Sequence, residues 1–312
     1  MSGPLDASGL ARSLIERLST VLIGKRDVIE LAITALFAEG HLLIEDVPGV
    51  GKTVLARSIA RALGLDFQRV QCTSDLLPAD LVGAEVWDPS TGQIGLREGP
   101  VFTNVLLADE LNRMPPRTQS ALLECMAERA VTIGRERREL EKPFFVIATQ
   151  NPASTAGTYP LPENQLDRFL MRISIGHPDV DAEREAVRRE DGHARIDTIE
   201  PIGEPSLLRS IGESVRAVRL EDELLAWIVD FARRTREEPD FESGLSTRGA
   251  QAYHRAARAL ALVRGRDYVV PDDLDVLLPY VCGHRVHCRV PGKNPGPRLE
   301  ELREADPPTV LR

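Results

Sequence analysis

A glycine-rich turn between a buried strand and a helix constrains this chain more than any other feature. The segment Val47-Pro-Gly-Val-Gly-Lys-Thr53 follows the apolar run Leu42-Leu43-Ile44 and precedes a stretch that favours a helix. Such a turn points several backbone N–H groups at one place, and the helix N-terminus adds its partial positive charge. The segment therefore predicts a binding site for an anion of phosphate size. An ordinary strand–turn–helix corner is the alternative, which this context disfavours.

Two side chains in the turn indicate a nucleoside triphosphate. Lys52 can reach the β- and γ-phosphates as a point charge, and the Thr53 hydroxyl can take a position on Mg²⁺. The general P-loop pattern begins with Gly, where this chain has Asp46. An acid so near phosphates weakens binding unless its side chain points away. The residues expected to bind the nucleotide here are Pro48, Gly49, Val50, Gly51, Lys52, Thr53 and Val54.

The composition favours a cytoplasmic protein without membrane insertion. Of the 312 residues, 42% are hydrophobic and 28% are charged, as in globular proteins. The N-terminus lacks a signal-like apolar segment, and no stretch approaches the roughly 20 apolar residues that span a bilayer. The 4 scattered cysteines argue against a disulfide framework. A net charge of −9 disfavours nucleic acid as a partner, because broad binding to it requires a basic surface.

Hydrophobic periodicity predicts an α/β core followed by helices alone. Short apolar runs of strand length recur after the turn, as expected for parallel strands covered on both faces. These runs are Phe67–Cys72, Val105–Ala108, Phe144–Ala148 and Met171–Ile175. Helical spacing then takes over in 180–191, 205–218, 221–236, 247–264 and 271–282. We expect a helix and α/β core over 1–178, an all-α domain over 179–290 and an irregular proline-rich tail over 291–312.

Acidic and amide side chains follow two of the predicted strands. Asp109 and Glu110 come directly after Val105–Ala108, and Asn151 follows the next strand. The carboxyl ends of parallel strands meet at one edge, beside the phosphate turn. Asp109 suits a Mg²⁺ ligand, and Glu110 suits a base that orients or deprotonates water. Asn151 can hydrogen-bond that water and a γ-phosphate oxygen, although Asn-Pro is equally typical of a plain turn.

Longer stretches resemble the MoxR family of AAA+ ATPases. They are Leu106–Arg113, Pro115–Glu124, Ala148–Pro152, Leu161–Glu163, Leu166–Phe169 and Gly265–Val269. The similarity runs in order from about Leu14 to Val286. It implies a P-loop AAA+ core with a five-stranded parallel sheet and a small all-α lid. It also implies Mg²⁺-dependent ATP hydrolysis in a homo-oligomeric ring, typically a hexamer, with ATP or ADP at the subunit interfaces.

The resemblance assigns roles residue by residue. It places Lys52 and Thr53 in Walker A, Asp109 and Glu110 in Walker B, Asn151 at sensor 1, and Ile23 and Gly24 at the adenine pocket. Arg168 matches the arginine finger, which acts on the neighbouring subunit's γ-phosphate. The residues alone favour a salt bridge from Arg168 to Asp167 or Glu163. Arg248 matches sensor 2 at the start of a lid helix, where Ser246 is a suitable N-cap.

Two further segments read as hairpins. Ala84–Pro100 contains Pro and Gly in turn positions, and in this family a hairpin inserted at the second core helix faces the ring pore or a partner. Ala130–Glu141 is readable as a hairpin before the sensor 1 strand. Its charges are typical of a solvated edge, and a partner-contact surface is the alternative.

The resemblance implies ATP-driven remodelling or maturation of partner proteins, often ones with a von Willebrand factor A domain. A magnesium-chelatase-like motor subunit is the alternative within the same fold. The intact Glu110 and Arg168 disfavour a nucleotide-gated scaffold with little turnover. The net negative charge of the chain disfavours a DNA helicase. Cys282, His284, His287 and Cys288 invite a zinc interpretation, but zinc ligand pairs generally lie on separate arms, so we expect no zinc site.

Overall fold

The computed structural model describes residues 6–90, 92–134, 136–152, 157–188, 192–203 and 205–308. Residues 1–5 of the predicted core region and 309–312 of the predicted tail lie outside the described residues. The same holds for Thr91 and Arg135 of the predicted hairpins and for 189–191 of the predicted helix 180–191.

Strands and helices alternate in the first half of the chain, and helices dominate the second. The strands are β1 (Leu42–Glu45), β2 (Phe67–Gln71), β3 (Gly83–Asp88), β4 (Gln93–Glu98), β5 (Val105–Asp109), β6 (Ala130–Ile133), β7 (Glu136–Glu139), β8 (Phe145–Gln150), β9 (Met171–Ile173), β10 (Phe241–Ser243) and β11 (His287–Cys288). The helices are α1 (Ala7–Ser19), α2 (Arg26–Phe37), α3 (Lys52–Leu63), α4 (Pro78–Val82), α5 (Pro116–Glu128), α6 (Glu163–Leu166), α7 (Val180–Arg188), α8 (Gly192–Asp197), α9 (Pro205–Ala217), α10 (Asp222–Glu237), α11 (Thr247–Val263), α12 (Pro271–Val281) and α13 (Gly296–Ala305).

The core is the predicted five-stranded parallel sheet. Its strand order is β2-β5-β8-β1-β9, and every neighbouring pair is parallel. The central strands β5, β8 and β1 are buried along almost their whole length, as their continuous apolar runs predicted. Successive side chains point to opposite faces: Leu42 and Ile44 join one hydrophobic cluster, and Leu43 joins the other. The carboxyl ends of all five strands therefore share one edge.

The helices after β9 form the predicted lid, which shares its hydrophobic cluster with the N-terminal helices. Helix α11 packs against α12 and also against α2. Tyr253 in α11 is fully buried and donates a hydrogen bond to the carbonyl of Leu274 at 2.5 Å. Ser246 is the N-cap of α11, because its hydroxyl accepts the Gly249 N–H at 2.9 Å. The antiparallel ribbon of β10 and β11 is a feature that periodicity did not predict.

The prediction of an irregular tail is wrong for Gly296–Ala305, which form α13. Pro297 lies in the first turn, where a missing N–H costs no intrahelical hydrogen bond, so this proline starts the helix instead of breaking it. Leu299 is buried in the first cluster, and Trp227 Nε1 donates to the Asp306 carbonyl at 2.7 Å. The segment from Leu299 to Asp306 thus packs onto α10.

Both predicted hairpins are present. Strands β3 and β4 pair antiparallel from Gly83 opposite Glu98 to Asp88 opposite Gln93, and β6 pairs with β7. Within the described part of the chain, no helix is both long enough and apolar enough to cross a membrane.

Candidate active site

The glycine-rich turn connects the carboxyl end of β1 to the first residue of α3. Gly49 has φ +89° and Gly51 has φ +100°, values that favour glycine, and Gly51 caps α3. The turn borders a cleft of about 430 Å³, the size of a small-molecule site. From the predicted set, the cleft is lined by Pro48, Gly49, Gly51, Lys52, Thr53, Val54, Asp109, Glu110 and Asn151. The structure therefore brings the turn and the ends of β5 and β8 together.

Asp46, which departs from the general P-loop pattern, points away from the cleft. Its Oδ2 accepts hydrogen bonds from Ser174 Oγ at 2.9 Å and from the Ile175 and Gly176 N–H groups at 2.7 Å each. Its Oδ1 accepts the Val47 N–H at 2.8 Å. Burial is the largest single influence and raises the pKa of Asp46, but these four hydrogen bonds together lower it. The carboxylate thus fastens the start of the turn to the segment after β9.

Lys52 lies at the floor of the cleft. Its Nζ donates to the Asp46 carbonyl at 2.6 Å. Burial lowers the pKa of Lys52, while Asp46, Asp109 and Glu110 act in the opposite direction. The ammonium group therefore lies within electrostatic reach of three carboxylates beside the turn.

Thr149, at the end of β8, holds the two acidic residues that follow β5. Its hydroxyl donates to Asp109 Oδ1 at 2.7 Å and accepts the Glu110 N–H at 2.9 Å. Glu110 has the left-handed backbone conformation, with φ +61°. Its Oε2 accepts from Gln71 Nε2 at 3.3 Å and pairs with Arg113 Nε at 3.1 Å. Sequence reasoning gave Thr149 no role of its own.

Arg69 and Gln71, which sequence reasoning missed, line the same cleft from the edge strand β2. Arg69 Nη2 pairs with Asp109 Oδ2 at 2.7 Å. In the register of the sheet, Gln71 lies opposite Asp109. The signal available in the sequence was the alternation of polar side chains at 69 and 71 in a short strand, which places both on one face.

The residues present fit a Mg²⁺ ion between Thr53 and Asp109. A hydroxyl and a carboxylate that face a water-accessible cleft match the oxygen ligands this ion prefers. The Arg69 guanidinium pairs with Oδ2 of Asp109, so the carboxylate already attracts a positive charge at this position. Each carboxylate oxygen has further lone pairs, because Thr149 and Arg69 use one each.

A second cleft of about 420 Å³ adjoins the first and shares Gly49, Gly51 and Val54 with it. Its walls include Ile23 and Val50 from the predicted set and Val187 of α7. The predicted Gly24 is not among the residues that line this cleft, although its neighbours Ile23 and Lys25 are. Gly24 has φ +71°, and a Cβ at Gly24 would lie 2.7 Å from the Ala182 Cβ, so this residue lets α7 approach. The mainly apolar cleft suits a planar base, and the shared glycines connect it to the phosphate turn.

Arg168 and Arg248 are not among the residues that line either cleft. Arg168 Nη1 donates to the Leu123 carbonyl of α5 at 2.6 Å. Among the described residues it forms no salt bridge with Asp167 or Glu163, the partners that the residues alone suggested; Asp167 instead pairs with Arg285 and, at 4.0 Å, with Arg248.

The position of Arg168 in the sheet explains its distance from the cleft. Arg168 precedes β9, and the nearby Leu170 N–H donates to the carbonyl of His41, which precedes β1. The phosphate turn leaves the opposite end of β1. At about 3.3 Å per residue, about 16 Å of extended chain separates His41 from Asp46. That is more than an arginine side chain spans.

The Cys282–Cys288 segment has other partners for its imidazoles. Cys282 is fully buried, and the buried His284 has its Nε2 3.1 Å from the Phe169 carbonyl. His287 Nδ1 lies 3.0 Å from Ser243 Oγ. In the described ranges, no group of three or more His, Cys, Asp or Glu side chains is arranged to hold a metal ion.

The fold and the cleft together define a P-loop ATPase of the AAA class with a helical lid. Residues 41–171 match the family described as "ATPase family associated with various cellular activities (AAA)", and residues 233–307 match the AAA lid domain. The uncharacterized protein YeaC of Bacillus subtilis is 42% identical, over 95% of this chain and 93% of its own. Chaperone MoxR1 of Mycobacterium tuberculosis is 40% identical, over 91% of this chain and 78% of its own.

A solved structure agrees with these relatives. The crystal structure of a candidate ATPase from Cytophaga hutchinsonii superposes with a TM-score of 0.89 at 34% identity, covering 97% of this chain and 96% of its own. The chain belongs to the MoxR family of AAA+ ATPases, and it is an ATP hydrolase.

Proposed function

We propose that this ATPase binds ATP with Mg²⁺ across the two joined clefts and hydrolyses it only when a second copy of the chain supplies Arg168. The observation that carries the proposal is the separation of Arg168 from the phosphate turn of its own chain. An arginine at the opposite edge of the sheet can complete only the site of another copy.

The chain's own residues bind and orient the nucleotide. The amides of the turn from Gly49 to Lys52 and the Lys52 ammonium hold the phosphates, because they converge at the start of α3. Ile23 and Gly24 lie on the side of the base, together with Val50 and Val54. ADP is the product that these contacts retain after the bond is broken.

Asp109, Glu110 and Asn151 prepare the attacking water. Thr53 and Asp109 would hold Mg²⁺, which neutralises charge between the β- and γ-phosphates. Glu110 exchanges its contacts with Gln71 and Arg113 for the water, which it orients and from which it takes a proton. The Asn151 amide hydrogen-bonds the water and a γ-phosphate oxygen.

Arg168 of the neighbouring copy stabilises the charge that develops on the γ-phosphate. Its planar fork of donors matches phosphate oxygens, and such an arginine is worth about 10³- to 10⁵-fold in rate. Arg248 lies beside the same segment, 4.0 Å from Asp167, and its side chain is 58% exposed. We propose that Arg248, as sensor 2, acts on the same neighbouring nucleotide as Arg168.

In a closed ring, every cleft adjoins the Arg168 of a neighbouring copy. We therefore propose a homo-oligomeric ring, namely a hexamer. Its ATP cycle remodels or matures a partner protein, and we propose a protein with a von Willebrand factor A domain as that partner. The similarity to a relative named as a chaperone supports the remodelling role.

Mixing two inactive variants tests the shared site. Arg168→Ala lacks the finger and keeps Glu110, whereas Glu110→Gln keeps the finger and lacks the base. Each alone should hydrolyse ATP at least 10²-fold more slowly than wild type. A 1:1 mixture should recover about a quarter of wild-type turnover per subunit, because half of the subunits keep Glu110 and about half of those adjoin an intact finger in a ring. No recovery in rings that contain both variants would refute the proposal.

A pull-down with Glu110→Gln in ATP tests the remodelling role, because this variant should retain ATP and hold its partner. We expect a defined protein with a von Willebrand factor A domain, released when ADP replaces ATP. Lys52→Ala, which should not bind ATP, is the control. Recovery of nucleic acid instead of a protein would contradict the remodelling role.

A further inference from the structure

Arg285 fastens the lid to the segment that carries Arg168. Only 7% of Arg285 is exposed. Its guanidinium donates to the carbonyls of Phe169 at 2.6 Å, Leu170 at 3.0 Å and Asp167 at 3.3 Å. Its Nε also pairs with Asp167 Oδ1 at 2.7 Å. These acceptors lie on both sides of Arg168 in the chain.

The same side chain also contacts two lid helices, one through its guanidinium and the other through its stem. Nη1 also donates to the Val281 carbonyl at the end of α12. The side-chain stem passes the first turn of α11, where a Cβ at Gly249 would lie 3.0 Å from Arg285 Cδ. Gly249 follows Arg248, whose Nε approaches the second oxygen of the Asp167 carboxylate. One buried side chain thus connects the ends of two lid helices to the backbone around Arg168.

Only an arginine can make this set of contacts. The guanidinium is a rigid plane with five donors, and here it bridges the carbonyls of four residues and one carboxylate. The ammonium group of a lysine is a point charge on a flexible stem, so it can pair with Asp167 but cannot span the other acceptors at the same time.

We propose that Arg285 is a positioning residue: it holds Asp167–Leu170 rigidly to the lid, so that the lid sets where Arg168 points at the neighbouring subunit's nucleotide. The proposal rests on the function in trans proposed above for Arg168. It predicts that Arg285 acts on the site of the neighbouring copy, whereas its own cleft, at the other edge of the sheet, binds ATP normally.

Complementation in trans tests this role. The acceptor is Arg168→Ala, and the donors are Glu110→Gln alone, Glu110→Gln with Arg285→Met, and Glu110→Gln with Arg266→Met. Arg266 is the matched control, because it is a lid arginine whose partner Asp273 is fully buried, at 2.6 Å, and its described contacts do not include the Arg168 segment. We expect the Arg285→Met donor to restore turnover about 10- to 100-fold less than the other two, since a small displacement of a catalytic group has this effect.

Two measurements keep the result interpretable. Incorporation of each donor into mixed rings is measured by native mass spectrometry, and its affinity for MgATP by equilibrium binding. If the Arg285→Met donor is not incorporated, Arg285→Lys replaces it, because lysine retains the charge opposite Asp167. The lysine donor should bind MgATP with unchanged Kd and restore turnover about tenfold less than the Arg266→Met donor.

The outcomes separate the two proposals. Full restoration by an incorporated Arg285→Met or Arg285→Lys donor would overturn the positioning role while leaving the trans role of Arg168 intact. Failure of the plain Glu110→Gln donor would overturn the trans role itself, and with it the role of Arg285. Equal losses for the Arg285 and Arg266 donors would show a general effect of lid stability and would also overturn the positioning role.

Discussion

Replacing Asp46 by the glycine of the general P-loop pattern should destabilise the protein rather than improve its nucleotide site. The buried carboxylate accepts four hydrogen bonds, three from backbone amides and one from Ser174. At about 1.5 kcal/mol each for a charged acceptor they sum to about 6 kcal/mol, and a water in the vacated space recovers part of this. We expect Asp46→Gly to lower the free energy of unfolding by about 3–5 kcal/mol.

Urea unfolding at pH 7, with and without MgATP, measures this loss. Asp46→Asn is the matched control: its oxygen can keep the three bonds made by Oδ2, but its NH₂ group opposes the Val47 N–H, so a smaller loss of about 1–3 kcal/mol is expected. Asp46→Gly should also bind MgATP more weakly, because the start of the turn loses its anchor.

The pH dependence follows from the lowered pKa of Asp46. The stabilisation is complete above the ordinary value of 3.8 and is lost as the pH falls below it through the folded-state pKa, because the unfolded chain binds the proton more readily. Asp46→Asn should lack this contribution. A glycine variant that unfolds at the wild-type urea concentration and binds MgATP more tightly would show that the carboxylate faces the phosphates, and would refute the reasoning.

Three further substitutions test the surroundings of the cleft. Burial, with smaller effects of nearby arginines, lowers the pKa of His41 from 6.5 to about 4, so the free energy of unfolding should fall by about 3 kcal/mol between pH 6.5 and 4. In urea titrations, His41→Phe should show a shallower pH dependence of the free energy of unfolding than wild type. The same pH dependence in both proteins would contradict this prediction. Arg69→Gln should lower the Mg²⁺ concentration for half-maximal ATPase activity, because the guanidinium competes for the Asp109 oxygen; a higher Mg²⁺ requirement would mean that Arg69 helps to hold the ion or the phosphates. Thr149→Val should lower kcat about 10- to 100-fold with little change in MgATP affinity, because both acidic residues lose their support. Thr103→Val is the control for Thr149→Val, because the buried Thr103 hydroxyl has no hydrogen-bond partner among the described residues. Its loss should leave kcat and stability unchanged. Equal effects of the Thr103 and Thr149 substitutions on kcat would contradict the role of Thr149.

The sequence sufficed for the sheet and for half of the candidate site because both depend on local patterns. Continuous apolar runs identified the strands that are covered on both faces, and the carboxyl-end rule then brought Asp109, Glu110 and Asn151 to the phosphate turn. Helices α7, α9, α10, α11 and α12 followed from their spacing, whereas α8 and α13 were not predicted. In each case the property that matters lies within a few residues of the chain.

The remaining features depend on neighbours that are distant in the sequence. Arg69 became visible only when β2 was placed beside β5: its register partner is Leu107, and from there its side chain reaches Asp109 two residues further along β5. The direction of Asp46 depends on donors 128 to 130 residues away. The prediction for the tail was wrong because its prolines suggest irregular structure, whereas Pro297 lies in the first turn of a helix, where proline costs no intrahelical hydrogen bond.

The parallel direction of the strands places the phosphate turn and Arg168 at opposite edges of the sheet, and this is why the proposed shared site needs two copies of the chain. The phosphate turn leaves the carboxyl edge of the sheet, whereas Arg168 enters at the amino edge, so the two surfaces face away from each other. Surfaces at opposite ends cannot pair reciprocally about a two-fold axis, so the contact that joins them is head-to-tail, and head-to-tail contacts close into rings or continue as filaments. The lid contacts both edges, because Val187 of α7 borders the base cleft and Arg285 holds the Arg168 segment. If Arg168 acts on the neighbouring copy as proposed, a change in nucleotide at one cleft that moves the lid would also move the arginine offered to the next cleft, and hydrolysis would depend on assembly.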